Sequence, residues 1–243
     1  MRIYVGCCGF PIAMNEYFRR FNLVELQSTF YKLPSERTAE KWRSNAPKNF
    51  KFTLKAFQGI SHPIESPTWR KFSKVKIESL KGRVGFLKPT PEVFEFFERT
   101  IKICKVLKAE ICLIQLPASF TDTKENFENA EKFFSEIKKN KVKIALELRG
   151  WSQQNSKLIC KKFNLIEVTD PFIRMPSYIK EIVYFRLHGS YEKRKINYNY
   201  KYSSGELKEL LKKIESLTNV KEVYCLFNNL FMKENAIEFR KLI

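Results

Sequence analysis

Short runs of Val, Ile, Leu and Phe recur along the chain, separated by stretches whose apolar residues keep a helical spacing. The runs predict strands at 2–8, 22–28, 50–57, 110–116, 142–148, 164–169, 182–188 and 220–227. Between them, Thr90 and Pro91 read as the N-cap and first residue of a helix whose apolar stripe is Val93, Phe97, Ile101 and Cys104. Phe127, Ala130, Phe134 and Ile137 mark another helix. Ser203 and Glu206 form a capping-box pattern ahead of Leu207, Leu210, Leu211, Ile214 and Leu217. Eight strands alternating with helices over 243 residues is the arithmetic of a (β/α)8 barrel of the TIM type. A doubly wound parallel sheet is the runner-up. The chain reads as one domain, 1–243, with no repeat or Gly/Ser linker, and with an elaborated loop at 58–90 (His62, Pro63, Pro67, Pro89) lying over the carboxyl face.

Four of the runs are broken by charge. They are Leu23-Val24-Glu25-Leu26-Gln27, Lys51-Phe52-Thr53-Leu54-Lys55, Ile144 to Arg149, and Val183 to His188. A strand covered on both faces ordinarily reads as uninterrupted Val, Ile and Leu. Ionisable residues near carboxyl ends are where barrels keep their sites. Positions i and i+2 share a face, so Glu147 pairs in direction with Arg149, and Arg186 with His188. If these faces point inward, the four groups converge, and each must find a partner, water or ligand. A salt-bridge network closing the barrel top is the alternative to a ligand site.

The candidates for proton transfer are Glu25, Glu147, Asp170 and His188. His188 has the titration range for an acid or base, and Asp170 also suits a plain turn in Thr169-Asp170-Pro171. The candidates for holding substrate are Lys55, Gln115, Arg149, Trp151, Arg186, Tyr198, Tyr200, Asn228 and Asn229. Trp151 reads equally as a stacking wall or as loop packing, and Asn228-Asn229 also suits a turn. In the segment 191–202, the basic run Lys193-Arg194-Lys195 precedes Tyr198, Tyr200 and Tyr202. Loops after the seventh and eighth barrel strands often hold phosphate, and mixed cations and aromatics suit a nucleic acid. A solvated loop is the alternative.

Composition changes this picture in three places. The formal charge of +19 favours an anionic ligand, DNA or RNA among them, although a diffuse lysine coat serves solubility equally. The six cysteines show no Cys-x-x-Cys pair and read as buried hydrophobes of a reducing compartment. With only His62 and His188 as histidines, an imidazole-rich zinc cluster cannot be built. The cofactor is left unknown, and a single divalent metal held by carboxylates stays open. No run reaches the roughly 20 apolar residues of a membrane helix, and the chain enters a strand directly, so a cytoplasmic protein is expected. Gly6-Cys7-Cys8-Gly9 lacks the spacing of either nucleotide-binding glycine motif.

Blocks along nearly the whole chain resemble the YecE-like family, domain of unknown function 72. They are Tyr4 to Phe10, Val24 to Tyr31 with Leu33-Pro34-Ser35, Trp42-Arg43, Phe52 to Ala56 with His62, and Gln115-Leu116-Pro117. Then come Glu147-Leu148-Arg149 with Trp151, Arg186 to Gly189, Tyr200 to Tyr202 before Glu206-Leu207, and Phe227-Asn228-Asn229 with Ala236. Gln27 departs from the pattern, which more often has Asn there. The resemblance implies a TIM-type barrel and supplies no reaction; its likeness to barrel endonucleases and sugar isomerases is one of fold.

Three functions follow as expectations. In the first, an enzyme of phosphodiesterase or hydrolase type acts on a phosphate-bearing substrate such as nucleic acid. Lys55, Arg149 and Arg186 hold the anion, Glu25 or Glu147 serves as base or metal ligand, and His188 as acid. The second is a non-catalytic nucleic-acid binder using the basic loop, and the third a carbohydrate or carboxylate enzyme.

Overall fold

The computed structural model describes residues 1–70, 78–138, 141–192 and 195–243. Eight parallel strands close into a barrel: β1 (Arg2–Cys8), β2 (Leu23–Leu26), β3 (Lys51–Lys55), β4 (Ile111–Thr121), β5 (Lys143–Gly150), β6 (Ile166–Thr169), β7 (Ile182–Leu187) and β10 (Glu222–Phe227). Around the barrel they run β1-β10-β7-β6-β5-β4-β3-β2. The remaining pair, β8 (Ser190–Glu192) and β9 (Lys195–Asn197), forms an antiparallel hairpin after β7. No strand is predicted there from the sequence, because three residues are too few to carry a period. Lys193 and Arg194 of the basic run lie outside the described residues.

The helices between strands are α1 (Met14–Arg20), α2 (Ser28–Tyr31), α3 (Glu36–Asn45), α4 (Gln58–Ser61), α5 (Pro91–Leu107), α6 (Lys124–Glu136), α7 (Gln153–Phe163), α8 (Ser204–Glu215) and α9 (Met232–Arg240). Their ends follow from local chemistry. Thr90 caps α5 with Pro91 in its first turn, and Ser203 and Glu206 complete the capping box of α8. None of the helices is long and apolar enough to cross a membrane, among the described residues.

Strand alternation separates two cores. Outward residues such as Val24, Phe52, Ile114, Leu146 and Phe185 pack under the helices. Leu23, Leu113, Ala145, Tyr184, Tyr224 and Leu226 fill the barrel itself. At the seam between β1 and β2, a Cβ on Gly6 would sit 2.0 Å from the Leu23 carbonyl oxygen. Only glycine allows that approach. Beside it the Tyr17 hydroxyl accepts from the Cys7 N–H at 2.7 Å and donates to the Leu23 carbonyl at 2.8 Å, bridging the strands.

β4 runs past its expected end at 116, through Pro117 to Thr121, with its register against β5 shifting between Leu116 and Thr121. Proline cannot donate to the ladder, and the shift falls where it stands. In the stretch 58–90, α4 is followed by a turn of 3-10 helix, Pro67–Trp69. Trp69 and Leu87 are buried, so this elaboration is a packed layer where it is described.

Candidate anion-binding site at the carboxyl rim

The inward faces of five strands place their polar and charged residues together. Arg186 of β7 is fully buried and reaches across the barrel. Its Nη2 donates to Glu25 Oε1 of β2 at 2.9 Å, while its Nη1 donates to Gln115 Oε1 of β4 at 3.0 Å and to Glu147 Oε2 of β5. Glu25 also accepts from the Tyr184 hydroxyl at 2.6 Å and from the Gln27 amide. Tyr184 in turn sits 2.8 Å from the Thr53 hydroxyl. A buried charge left alone costs several kcal/mol, and this arrangement leaves neither carboxylate alone.

Above Arg186 lies a second tier. Arg149 Nε donates to Glu147 Oε1 at 2.6 Å. His188 Nε2 stands 3.3 Å from the same oxygen and 3.1 Å from Arg149 Nη2, and its Nδ1 is 2.9 Å from the Asn228 amide nitrogen. With Nε2–H donating to Glu147, Nδ1 accepts from Asn228; the other tautomer accepts from Arg149. Burial lowers the His188 pKa to about 4 against the pull of Glu147, so the ring is neutral at pH 7. Burial alone would raise Glu147, but Arg149, Arg186 and His188 outweigh it and hold the carboxyl well below its ordinary value. For Arg186, Glu25 and Glu147 likewise outweigh burial and raise the guanidinium.

Two groups differ from this paired set. The Asp170 carboxylate accepts the backbone N–H of Phe172 and of His188, each at 3.0 Å. Burial nonetheless raises it to about 6. Lys55 ends β3 almost fully buried, with its Nζ 4.0 Å from the centroid of the Phe30 ring. Among the described residues it has no hydrogen-bond or ion-pair partner. Burial and the nearby Arg186 lower its pKa to about 8, although Glu25 and Glu147 pull the other way. The cluster has three carboxylates (Glu25, Glu147, Asp170) and three cations (Lys55, Arg149, Arg186), yet Asp170 spends its oxygens on amides. Lys55 is therefore the cation without a carboxylate.

The predicted residues thus divide. Glu25, Lys55, Gln115, Glu147, Arg149, Asp170, Arg186, His188 and Asn228 form one constellation, with Tyr198 edge-on to His188 at 6.1 Å. Arg186 holds carboxylates and not ligand, because it lies beneath the mouth with its amino groups engaged. Glu25 and Glu147 do not fit a shared divalent metal, since Arg186 already occupies the place between them. Among the described residues no group of three or more His, Cys, Asp or Glu is placed to hold a metal ion. Three residues are directed elsewhere. Trp151 stacks between Phe120 and Phe127, Tyr200 donates to Glu206 at 2.5 Å, and Asn229 ties Tyr200 to Asn235. Tyr184, Thr53 and Gln27 were not among the predicted residues. Each stands two positions from a residue that was, and that period is the signal which finds them.

The fold and the position of the polar cluster define a TIM-type barrel protein with a candidate site at the carboxyl ends of its strands. The chain belongs to the family described as "Protein of unknown function DUF72", which it matches over residues 11–242. It is 25% identical over 252 residues to the UPF0759 protein YunF of Bacillus subtilis (strain 168), covering 89% of this chain and 80% of that protein. A DUF72 family protein from Enterococcus faecalis V583 superposes with a TM-score of 0.73 at 25% identity, over 99% of this chain and 97% of that one. A xylose isomerase domain containing protein from Salmonella typhimurium LT2 shares the fold alone, at 11% identity and a TM-score of 0.60, over 98% and 95% of the two chains.

Proposed function

We propose that the carboxyl-rim site binds a phosphate-bearing substrate, nucleic acid being the class that the net charge favours, and that Asp170 and His188 handle protons there. The observation that carries this reading is Lys55. Its stem is buried and its ammonium rests on the Phe30 ring with no carboxylate in contact, and an anion is the partner that would complete it. Arg149 supports the same reading: its side chain is the partly exposed one of the two arginines, and a guanidinium that meets solvent suits an oxyanion. The base moves from Glu147 to Asp170, Glu25 being engaged by Arg186 and Tyr184. A carboxylate held ionised by guanidinium groups accepts protons poorly, whereas one near neutrality is matched to general base work. Neutral His188, held between Glu147, Arg149 and Asn228, would supply its N–H to the substrate or leaving oxygen by exchanging one of these partners.

The test is calorimetric titration of inorganic phosphate and a nucleoside monophosphate into wild type and Lys55→Met at pH 7. Wild type is expected to bind, and the variant to lose about tenfold or more, the size of one charge-assisted hydrogen bond. Equal affinity in the two proteins would overturn the reading.

A further inference from the structure

The two halves of the carboxyl rim are finished differently. After β3, β4 and β5 the connections carry interlocked aromatic rings, with Phe57 on Trp69 and Phe96, Phe86 on Phe120, and Phe120 on Trp151. After β2, β10, β7 and β6 they leave large apolar side chains in solvent: Tyr31, Leu230, Tyr191, Tyr198 and Ile173, each 38% to 70% exposed. These are five of the eight exposed large hydrophobics among the described residues, and with β1 the four strands form one continuous arc of the barrel. The other three, Met1, Leu158 and Ile243, lie at the two termini and on α7. A cluster of this kind around a polar mouth marks an interaction surface.

Contacts connect the arc to the site from both sides. Tyr31 meets Phe30 edge-on at 5.0 Å, and Phe30 is the ring under the Lys55 ammonium. On the far side Tyr198 meets His188, which adjoins Arg149, and its carbonyl accepts the Leu230 N–H at 2.8 Å. Tyr31 is thus one ring removed from Lys55, and Tyr198 one ring removed from Arg149.

We propose that this arc is a stacking platform for single-stranded nucleic acid, so that the phosphate met by Lys55 and Arg149 belongs to a polynucleotide. The inference rests on the phosphate reading above and narrows its substrate class. Three of the five exposed side chains are tyrosines, and a base stacks on such a ring whatever its sequence. Lys32 beside Tyr31 and Lys195 in the hairpin add exposed cations, and the hairpin also exposes the acid Glu192. A duplex keeps its base faces stacked inside and cannot offer them. A second copy of this chain would bring another +19 to the interface.

The test uses fluorescence anisotropy with a labelled 12-nucleotide oligo-dT and a 12-base-pair duplex, at fixed salt, on the full chain. Wild type is expected to bind the single strand at least tenfold more tightly than the duplex. Tyr31→Ala/Tyr198→Ala is expected to lose about tenfold or more for the single strand and little for the duplex. Both residues are exposed, and an unchanged urea midpoint confirms that the variant folds. Equal affinity for the two probes overturns the platform, as does a single-strand affinity that ignores the tyrosines. Self-association that the tyrosine variant abolishes, without any effect on oligonucleotide, also overturns it by assigning the arc to a dimer. Phosphate binding that needs Lys55 alongside tyrosine-independent oligonucleotide binding sinks the platform alone. Phosphate affinity unaffected by Lys55→Met sinks the reading beneath it.

Discussion

Replacing Arg186 with methionine isolates what the buried network contributes. The change keeps an unbranched side chain of similar length and removes the cation from between two carboxylates, one fully buried and the other 6% exposed. Breaking a buried pair by removing one partner costs about 3–5 kcal/mol. Here one guanidinium serves two acids, so the upper end applies at pH 7.5. Without Arg186, Glu147 keeps Arg149 but Glu25 keeps only the neutral Tyr184 and Gln27 as donors, so burial then acts unopposed on its charged form. A carboxyl with a raised folded pKa penalises folding above its unfolded value, and the penalty shrinks as pH falls toward it. The expected loss is therefore about 4–5 kcal/mol at pH 7.5 and less than half of that at pH 5. With a urea slope of about 2–3 kcal/mol/M, the midpoint moves by roughly 2 M at the higher pH. Comparing variant with wild type at each pH cancels the protein's other titrations. Arg186→Met/Glu25→Gln/Glu147→Gln should recover most of the loss, because neutral replacements of a buried ion triad are often well tolerated. A loss under 1 kcal/mol, or one equal at both pH values, would refute the reasoning.

Gly6→Ala forces a methyl group against the Leu23 carbonyl, so β1 and β2 must separate around the Tyr17 bridge; a cost of about 2–3 kcal/mol or more in urea unfolding is expected, and a near-neutral result would show that the seam yields. Wild-type stability should also fall with acid. His62 is lowered to about 3, by burial and then by Lys55 and Arg149, and His188 to about 4, so below an unfolded pKa near 6.5 the unfolded chain takes up two protons that the folded one refuses. Asp170, raised to about 6, works in the opposite direction between pH 6 and its unfolded value near 3.9. The net is about one proton, or roughly 1.4 kcal/mol lost per pH unit between 6 and 5, and His62→Gln should nearly flatten that slope in urea titrations; an unaltered slope would show that His62 is not the group responsible.

The barrel is legible from the sequence because parallel strands covered by helices must be apolar in short bursts, and the charged interruptions could only belong to a rim. The resemblance blocks fall on the same strand ends. What the period of two supplies is direction, and it correctly turned Glu147, Arg149, Arg186 and His188 inward. It does not supply depth. Whether Arg186 meets solvent or lies below the mouth depends on how the strands stagger against one another, and the registers across β7, β10 and β6 bury it. Trp151 was undecided for a related reason: it leaves β5 at Gly150, whose own Cβ would sit 2.4 Å from the Ala118 carbonyl oxygen, and the long β4 provides the Phe120 ring against which it stacks. That extension beyond Pro117 is a matter of register shift, which no local pattern announces.

The Arg186 brace also has a consequence in time. Glu25 and its guanidinium partner are 161 residues apart, and Glu25 and the Tyr184 hydroxyl are 159 apart. During synthesis β1, β2 and β3 are complete long before β7 exists. A half-barrel assembled from them would bury a carboxylate with its cation still to come, a cost large enough to keep those strands from committing early. The polar centre is thereby postponed until more than three-quarters of the chain is available, and the barrel closes later still, when β10 pairs with β1. Pairing over so long a separation in sequence slows folding.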